Sequence, residues 1–270
     1  MAKHRLFYTL FQLRLPVETQ AESPAGLSFE FLADVAPSGS PVMTGHSDGV
    51  ITINLAEADD VERERRRHQM REPYRTLLGH FRHEIGHYYW DRLIANTPHL
   101  EEFRRTFGDE RRDYAAALQD YYAWGAPSDW SRQYISAYAS SHPWEDFAET
   151  WAHYFHMVDT LETARAAGLA VSAKRSQSPG AVFDFHPRDT DIEHLVEAWL
   201  ELAFAVNSLN RSMGLPDLYP FVLGPSAVVK LTFVQQRIRA ISPRKADTRG
   251  GHERGGPKRS TLRRLRSETT

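Results

Sequence analysis

The chain of 270 residues contains no cysteine, which excludes disulfide bonds and thiolate ligands to a metal within it. It also lacks any run of 18 consecutive apolar residues, so we expect no membrane-spanning helix. Lys3, His4 and Arg5 interrupt the apolar residues at the N-terminus, which therefore does not resemble the apolar core of a signal peptide. No internal repeat is present. These absences predict a cytoplasmic protein without a membrane partner.

Charge is distributed unevenly along the chain. Residues 237–270 contain 11 Lys or Arg against 3 Asp or Glu, a net charge of +8, whereas residues 1–236 contain 22 against 32, a net charge of −10. The basic tail is rich in glycine and poor in aromatic residues, so we predict that it is disordered from about Ser242. A solvated tail is the favoured interpretation. The alternative is contact with an acidic partner or with nucleic acid.

The most informative stretch is residues 83–87, which read His-Glu-Ile-Gly-His. Side chains four residues apart lie on the same face of a helix, so His83 and His87 can bind one Zn²⁺ at about 2.0–2.1 Å each. Glu84 can then act as a general base that takes a proton from a zinc-bound water. The motif predicts one zinc ion per chain. The alternative without metal binding is a helix that merely carries several histidines.

The residues around this motif predict a helix from about Glu72 to about Ala95. Apolar side chains recur there at helical spacing, and no proline interrupts them. Gly86 costs about 1 kcal/mol inside a helix. Its presence indicates that a neighbouring segment or the metal needs the space that a side chain would fill.

A catalytic zinc site usually has three protein ligands, and the best third ligand lies downstream. His142 and Pro143 suit the cap and the first turn of a second helix. On that helix Glu145 and Glu149 share one face, so one can bind the zinc while the other orients an imidazole. The helical face alone does not separate the two.

With these residues the chain resembles the gluzincin metallopeptidases and, more narrowly, a family of bacterial zinc-binding metallopeptidases. The matching stretches are spread over residues from about 44 to about 234, and they read TGHSDGVITINLAEADDVERE, EPYRTLLGHFRHEIGHYYWDRL, YASSHPWEDFAETWAHYFHMVDTLETA and NSLNRSMGLPDLYPFVL. The resemblance implies an α+β fold with a zincin-like (gluzincin) core. This fold consists of a small N-terminal β-sheet, the active-site helix and a mainly helical C-terminal part. The cysteine-rich zinc ribbon with which such proteins often begin has no counterpart in this sequence.

The resemblance also implies roles for individual residues. His83 and His87 are the metal ligands, and Glu84 is the general base. The first acidic residue of the second motif is the ligand in related gluzincins. This favours Glu145 as the third ligand, with Glu149 supporting a ligating imidazole.

Two further residues are candidates for stabilising the oxyanion of the reaction. Tyr138 lies seven residues before Glu145, an offset that resembles that of the oxyanion-stabilising tyrosine of some gluzincins. A phenol can donate a hydrogen bond to the developing charge, but a buried tyrosine with a satisfied hydroxyl is an equal alternative. His142 is the second candidate, against a role in capping the helix.

Other polar residues of the second helix are not expected to bind the metal. Asp146 points away from the shared face, so we predict that it is solvated or capping. His153 and His156 are interpreted as surface or satisfied core histidines. In the N-terminal part, residues 27–32 and 50–55 read as strands. Val50–Leu55 is the candidate for a sheet edge that holds an extended substrate, although a purely structural strand is the favoured interpretation.

The sequence therefore predicts four parts. They are a β-rich part of the catalytic domain (1–60), a zinc-binding helical core (61–160), a C-terminal helical subdomain (161–241) and the basic tail (242–270). The predicted function is a zinc metallopeptidase that acts on a peptide or protein substrate. The alternatives are a zinc-containing binding or regulatory module without catalysis, and a metallohydrolase that acts on a non-peptide amide.

Overall fold

The computed structural model describes residues 1–34, 42–70, 72–171, 181–182 and 189–241. The predicted disorder and partners of the basic tail lie outside these residues. Within them the chain forms eight α-helices and two small sheets. The helices are α1 (Ala2–Gln12), α2 (Asp60–Gln69), α3 (Leu77–Leu93), α4 (Leu100–Phe107), α5 (Tyr114–Trp124), α6 (Pro143–Ala166), α7 (Ile192–Ser212) and α8 (Pro225–Ile241). The strands are β1 (Ser28–Leu32), β2 (Gly45–Ser47), β3 (Val50–Asn54), β4 (Ala170–Val171) and β5 (Ala181–Val182).

This content confirms the predicted α+β class. Short 3₁₀ turns at Leu55–Ala58, Trp130–Arg132 and Tyr138–Ser140 connect the larger elements. In the described parts of the chain, we find no helix with the length and apolar character that crossing a bilayer requires.

The main sheet has the strand order β1-β3-β2, with β1 parallel and β2 antiparallel to β3. The prediction that Val50–Leu55 forms an edge is wrong, because β3 is the middle strand and Leu55 already begins a 3₁₀ turn. Both sides of β3 are hydrogen-bonded to neighbours, so it has no free edge for a substrate. The edge that packs against α3 is β2. Alternating hydrophobicity identifies a strand but does not order the strands within a sheet.

Helices α3 and α6 pack against each other at the centre of the molecule. Helix α3 begins at Leu77 rather than near Glu72, because Thr76 has extended backbone geometry and its Oγ1 accepts the N–H of Gly79 at 2.9 Å. Helix α6 begins as predicted, with His142 as its cap and Pro143 as its first residue.

Gly86 is the point of closest approach between these two helices. A Cβ atom at this position would lie 3.0 Å from Cα of Ala148 and 3.1 Å from Cβ of Trp151. Ala148 and Trp151 are fully buried, so neither can move into solvent. The packing reason predicted for Gly86 is thus confirmed.

We expect Gly86→Ala to lower the free energy of unfolding by about 1–2 kcal/mol, although Gly→Ala inside a helix normally raises it by about 1 kcal/mol. The added methyl group would press on the backbone of α6. Urea denaturation of the variant and of the wild type measures the difference. A variant as stable as the wild type, or more stable, would contradict the packing argument.

Asp146 lies at the contact between α6 and α8. Its side chain is fully buried, and Nζ of Lys230 donates to its Oδ2 at 2.6 Å and to the carbonyl of Gln133 at 2.7 Å. The prediction that Asp146 is solvated or capping is therefore wrong. Burial raises the pKa of Asp146 to about 7 even though Lys230 opposes that shift. Helical phase showed that Asp146 points away from Glu145, but it did not show which element covers that face.

His153 and His156 are core histidines with polar partners. Nδ1 of His153 lies 2.6 Å from the hydroxyl of Tyr219, and Nδ1 of His156 lies 2.5 Å from Nη1 of Arg82. Burial lowers the pKa of His153 to about 4, despite the opposing charge of Glu149, and burial also lowers the pKa of His156 well below its usual value. Both imidazoles are therefore neutral in the folded protein at neutral pH.

We expect acid to destabilise the fold through His153. Above pH 6.5 this histidine is neutral in both the folded and the unfolded chain, so its contribution is fully present there. As the pH falls from 6.5 towards 4, the unfolded chain takes up a proton that the folded chain does not bind. Stability should therefore fall by about 2 kcal/mol between pH 7.5 and pH 5 through this residue. Urea denaturation with a metal chelator present would show a weaker pH dependence in His153→Gln. An unchanged pH dependence would exclude His153 as a cause.

Candidate metal centre

Three side chains converge where α3 and α6 pack together. The Nε2 atoms of His83 and His87 are 3.2 Å apart. Nε2 of His83 lies 2.9 Å from Oε2 of Glu145, and Nε2 of His87 lies 3.6 Å from Oε1. Within the described ranges this is the one group of three or more His, Cys, Asp or Glu side chains whose ligand atoms all lie within 4.8 Å of one another.

The spacing of these atoms fits zinc. Ligands bound tetrahedrally at 2.0–2.1 Å lie about 3.4 Å from each other, and the three observed distances bracket that value. Oε2 of Glu145 is fully buried and has no hydrogen-bond partner among the described residues. A buried carboxylate beside two imidazole nitrogens is stabilised by a cation between them.

Glu149 orients His83 rather than joining the three ligand atoms. Its Oε1 lies 2.8 Å from Nδ1 of His83, and its Oε2 accepts from the hydroxyl of Ser136 at 2.6 Å. A proton held on Nδ1 by this carboxylate leaves the Nε2 lone pair facing the site. The sequence interpretation missed Ser136, which lies in an irregular segment without a periodic signal.

Protons and metal ions compete for His83. Burial lowers the pKa of His83, but the carboxylates of Glu145 and Glu149 outweigh it and raise that pKa well above its usual value. Burial likewise raises the pKa of Glu145, and the two imidazoles reverse this and hold it well below its usual value. The site therefore favours positive charge, and a metal ion that binds there releases a proton.

Glu84 lies on α3 directly after His83 and is only 7% exposed. Its carboxylate has no hydrogen bond or ion pair with any residue that the structure describes. After burial and Glu145, its charge is one of the causes that raise the pKa of Tyr114, so the two side chains are near enough for that charge to act. The carboxylate is thus free to accept a proton.

Tyr138 lies beside the ligands, with its ring centroid 6.0 Å from that of His83. Its hydroxyl lies near that of Tyr122 on α5 and lowers the pKa of Tyr122, against burial, which is the larger effect and raises it. Burial, together with the charge of Glu145, raises the pKa of Tyr138 well above its usual value, so the hydroxyl keeps its proton at neutral pH. It can therefore serve as a donor near the site.

His142 uses both of its ring nitrogens elsewhere. Nδ1 accepts the N–H of Trp144 at 3.1 Å, and Nε2 lies 3.1 Å from the carbonyl oxygen of Arg112, to which it donates. Burial lowers the pKa of His142, in keeping with a neutral ring. Of the two roles expected for His142, the structure shows capping, and no ring proton is left for an oxyanion.

Tyr114 is the main residue at the site that the sequence interpretation missed. Its hydroxyl donates to Oε1 of Glu145 at 2.6 Å. Tyr114 is the first residue of α5, 31 positions before Glu145. No helical or strand spacing relates two residues so far apart, so only the fold could bring them together.

Helix α3 carries the motif His-Glu-x-x-His and packs against α6, which carries Glu145, beside a small sheet. This arrangement defines a zincin-like metallohydrolase core. The comparisons agree with this class. The chain belongs to the family described as "Putative zinc-binding metallo-peptidase", whose model matches residues 1–237. The family description supports zinc as the metal and hydrolysis as the activity.

Similar proteins occur in mycobacteria. Uncharacterized proteins of Mycobacterium bovis and of two strains of Mycobacterium tuberculosis are each 43% identical to this chain over 244 residues. The matched region covers 90% of this chain and 69% of each relative. No solved structure matches the chain.

Proposed function

We propose that this protein is a zinc-dependent peptidase that hydrolyses peptide bonds in a peptide or protein substrate. The observation that carries the proposal is the unpaired carboxylate of Glu84 beside three converging ligand atoms. A structural zinc site is closed by four protein ligands, whereas a catalytic site keeps one position open and needs a base. With Glu145 as the third ligand, the centre is of the gluzincin type.

The residues of the site have different roles in hydrolysis. Zinc held by His83, His87 and Glu145 would polarise the substrate carbonyl group and acidify a water molecule. Glu84 accepts the proton of the attacking water and passes it to the leaving amine.

Two neighbouring residues support this chemistry. Glu149 keeps the Nε2 lone pair of His83 aimed at the site. Tyr138, whose hydroxyl stays protonated, donates a hydrogen bond to the charge that develops on the carbonyl oxygen.

The edge strand β2 is the proposed binding surface for an extended substrate. It pairs with β3 on one side only and packs against α3 on its way past the site. His46 in the middle of β2 is close enough to His87 for their charges to interact; burial is the larger cause of its low pKa of about 4. A peptide added to this edge would therefore run beside the metal ligands.

Cleavage of a diverse peptide library by the zinc-loaded protein, read by mass spectrometry, tests the proposal. Zinc-loaded Glu84→Gln supplies the background. Sequence-selective cuts made only by the wild type are the expected result. No cuts from a protein shown to hold zinc would overturn peptide hydrolysis. That outcome would favour a binding module or a hydrolase of non-peptide amides.

A further inference from the structure

We propose that Tyr114 is a positioning residue that makes helix α5 part of the metal centre. Its hydroxyl holds Oε1 of Glu145 and so fixes the carboxylate, with Oε2 turned towards Nε2 of His83 and Oε1 nearer Nε2 of His87. The inference rests on the metal site of the proposed function and adds a residue to it.

The two oxygens of Glu145 have different surroundings. Oε1 accepts the hydrogen bond from Tyr114 at 2.6 Å, whereas Oε2 is buried without a hydrogen bond and lies 2.9 Å from Nε2 of His83. A hydrogen bond to a carboxylate is charge-assisted and about twice as strong as a neutral one. The terminal torsion of glutamate is otherwise soft. The phenol therefore fixes the carboxylate in one orientation between the two imidazoles.

Hydrophobic burial does not explain where the Tyr114 side chain points. The residue is 38% exposed, yet its hydroxyl reaches a carboxylate that is 1% exposed. Its ring lies edge-on to those of His142, at 5.1 Å between centroids, and is tilted against that of Trp144, at 6.0 Å. His142 caps α6 and Trp144 lies in its first turn. The ring and the hydroxyl of Tyr114 therefore both contact the end of α6 that carries Glu145.

The rest of α5 is weakly anchored. Ala117 is its one buried residue, and Gly108 before it and Gly125 after it have φ of 109° and 78°, values that favour glycine. Besides Tyr114, its ties to the site are the ring of Tyr121, 5.5 Å between centroids from that of Tyr138, and the hydroxyl of Tyr122, which interacts with that of Tyr138. Because the contacts of α5 are concentrated at the metal centre, metal binding and docking of α5 should stabilise each other by the same factor.

The test is the zinc affinity of Tyr114→Phe, measured by competition with a chromophoric chelator. We expect affinity about 10–100-fold weaker than that of the wild type, the usual effect of losing a group that orients a ligand. Tyr122→Phe is the matched control, because it removes a hydroxyl from the same helix that does not touch a ligand. Its zinc affinity should fall much less than that of Tyr114→Phe.

A second readout separates positioning from simple stabilisation. Zinc should slow amide hydrogen exchange across α5 in the wild type and in Tyr122→Phe, but much less in Tyr114→Phe. The absorption spectrum of bound Co²⁺, which reports the coordination of the metal, should change only in Tyr114→Phe. A purely structural tyrosine would lower the melting temperature and leave these three readouts unchanged.

The outcomes distinguish this inference from the proposed function. If the wild type binds zinc and Tyr114→Phe binds it with the same affinity, the role of Tyr114 is overturned and the peptidase proposal is intact. A wild-type protein that binds no zinc overturns both. If Tyr114→Phe does not fold, hydrogen exchange of the wild type with and without zinc tests the inference. Zinc that fails to slow exchange across α5 would contradict the link between metal binding and docking of α5.

Discussion

Replacing Glu84 with glutamine is expected to lower kcat/KM for peptide cleavage by about 100- to 10,000-fold without loss of zinc. Glutamine keeps the size of the side chain but cannot take a proton from water. The zinc content should not change, because the carboxylate of Glu84 is not among the three converging ligand atoms. A fluorogenic peptide chosen from the library measures cleavage, and atomic absorption measures the zinc.

Glu64→Gln is a suitable control for this substitution. It makes the same chemical change on the solvent-facing helix α2, where Glu64 pairs with Arg67, and it should alter neither quantity. Undiminished cleavage by Glu84→Gln would show that another group is the base. Loss of zinc together with activity would instead place Glu84 among the ligands.

Glu145→Gln is expected to weaken zinc binding by well over 100-fold, whereas Glu149→Gln should weaken it by about 10–100-fold. The two substitutions are chemically identical and lie one helical turn apart. Their effects should differ because Glu145 contributes an atom to the ligand group, while Glu149 acts through Nδ1 of His83. Competition with a chromophoric chelator at one pH measures both affinities.

The order of the two effects decides the third ligand. If Glu149→Gln abolishes binding and Glu145→Gln only weakens it, Glu149 is the ligand and the present assignment is wrong. Ser136→Ala provides a graded check, since Ser136 donates to Oε2 of Glu149, whereas Oε1 is the oxygen that contacts His83. Its effect on zinc affinity should be smaller than that of Glu149→Gln.

Local patterns were sufficient for the features that depend on one helix at a time. The four-residue spacing of His83 and His87 places two imidazoles together in any helix, and Pro143 after His142 is a local helix-start signal. Gly86 could likewise be interpreted as a space-making residue, because its cost within a helix is known. The choice of Glu145 over Glu149 came from the family resemblance, since their helical face is shared.

Features that depend on the relative placement of elements could not be predicted. Strand β3 has a strand-like pattern wherever it lies in the sheet, so its middle position had to come from the fold. Asp146 was correctly placed off the Glu145 face, but the partner on its own face, Lys230, comes from a helix 84 residues away. No periodicity in the sequence links residues at such separations.

By itself, then, the amino-acid sequence determined the α+β class, the metal-binding motif on α3 and the start of α6. Tertiary structure alone decided which oxygen of Glu145 lies near each imidazole, that Glu149 contacts His83 rather than His87, and how Tyr114 reaches Glu145. The physical reason is the distance along the chain over which each effect acts. Helix propensity, capping and side-chain phase act over a few neighbouring residues, whereas a metal centre requires atoms from distant segments to meet within a few ångströms.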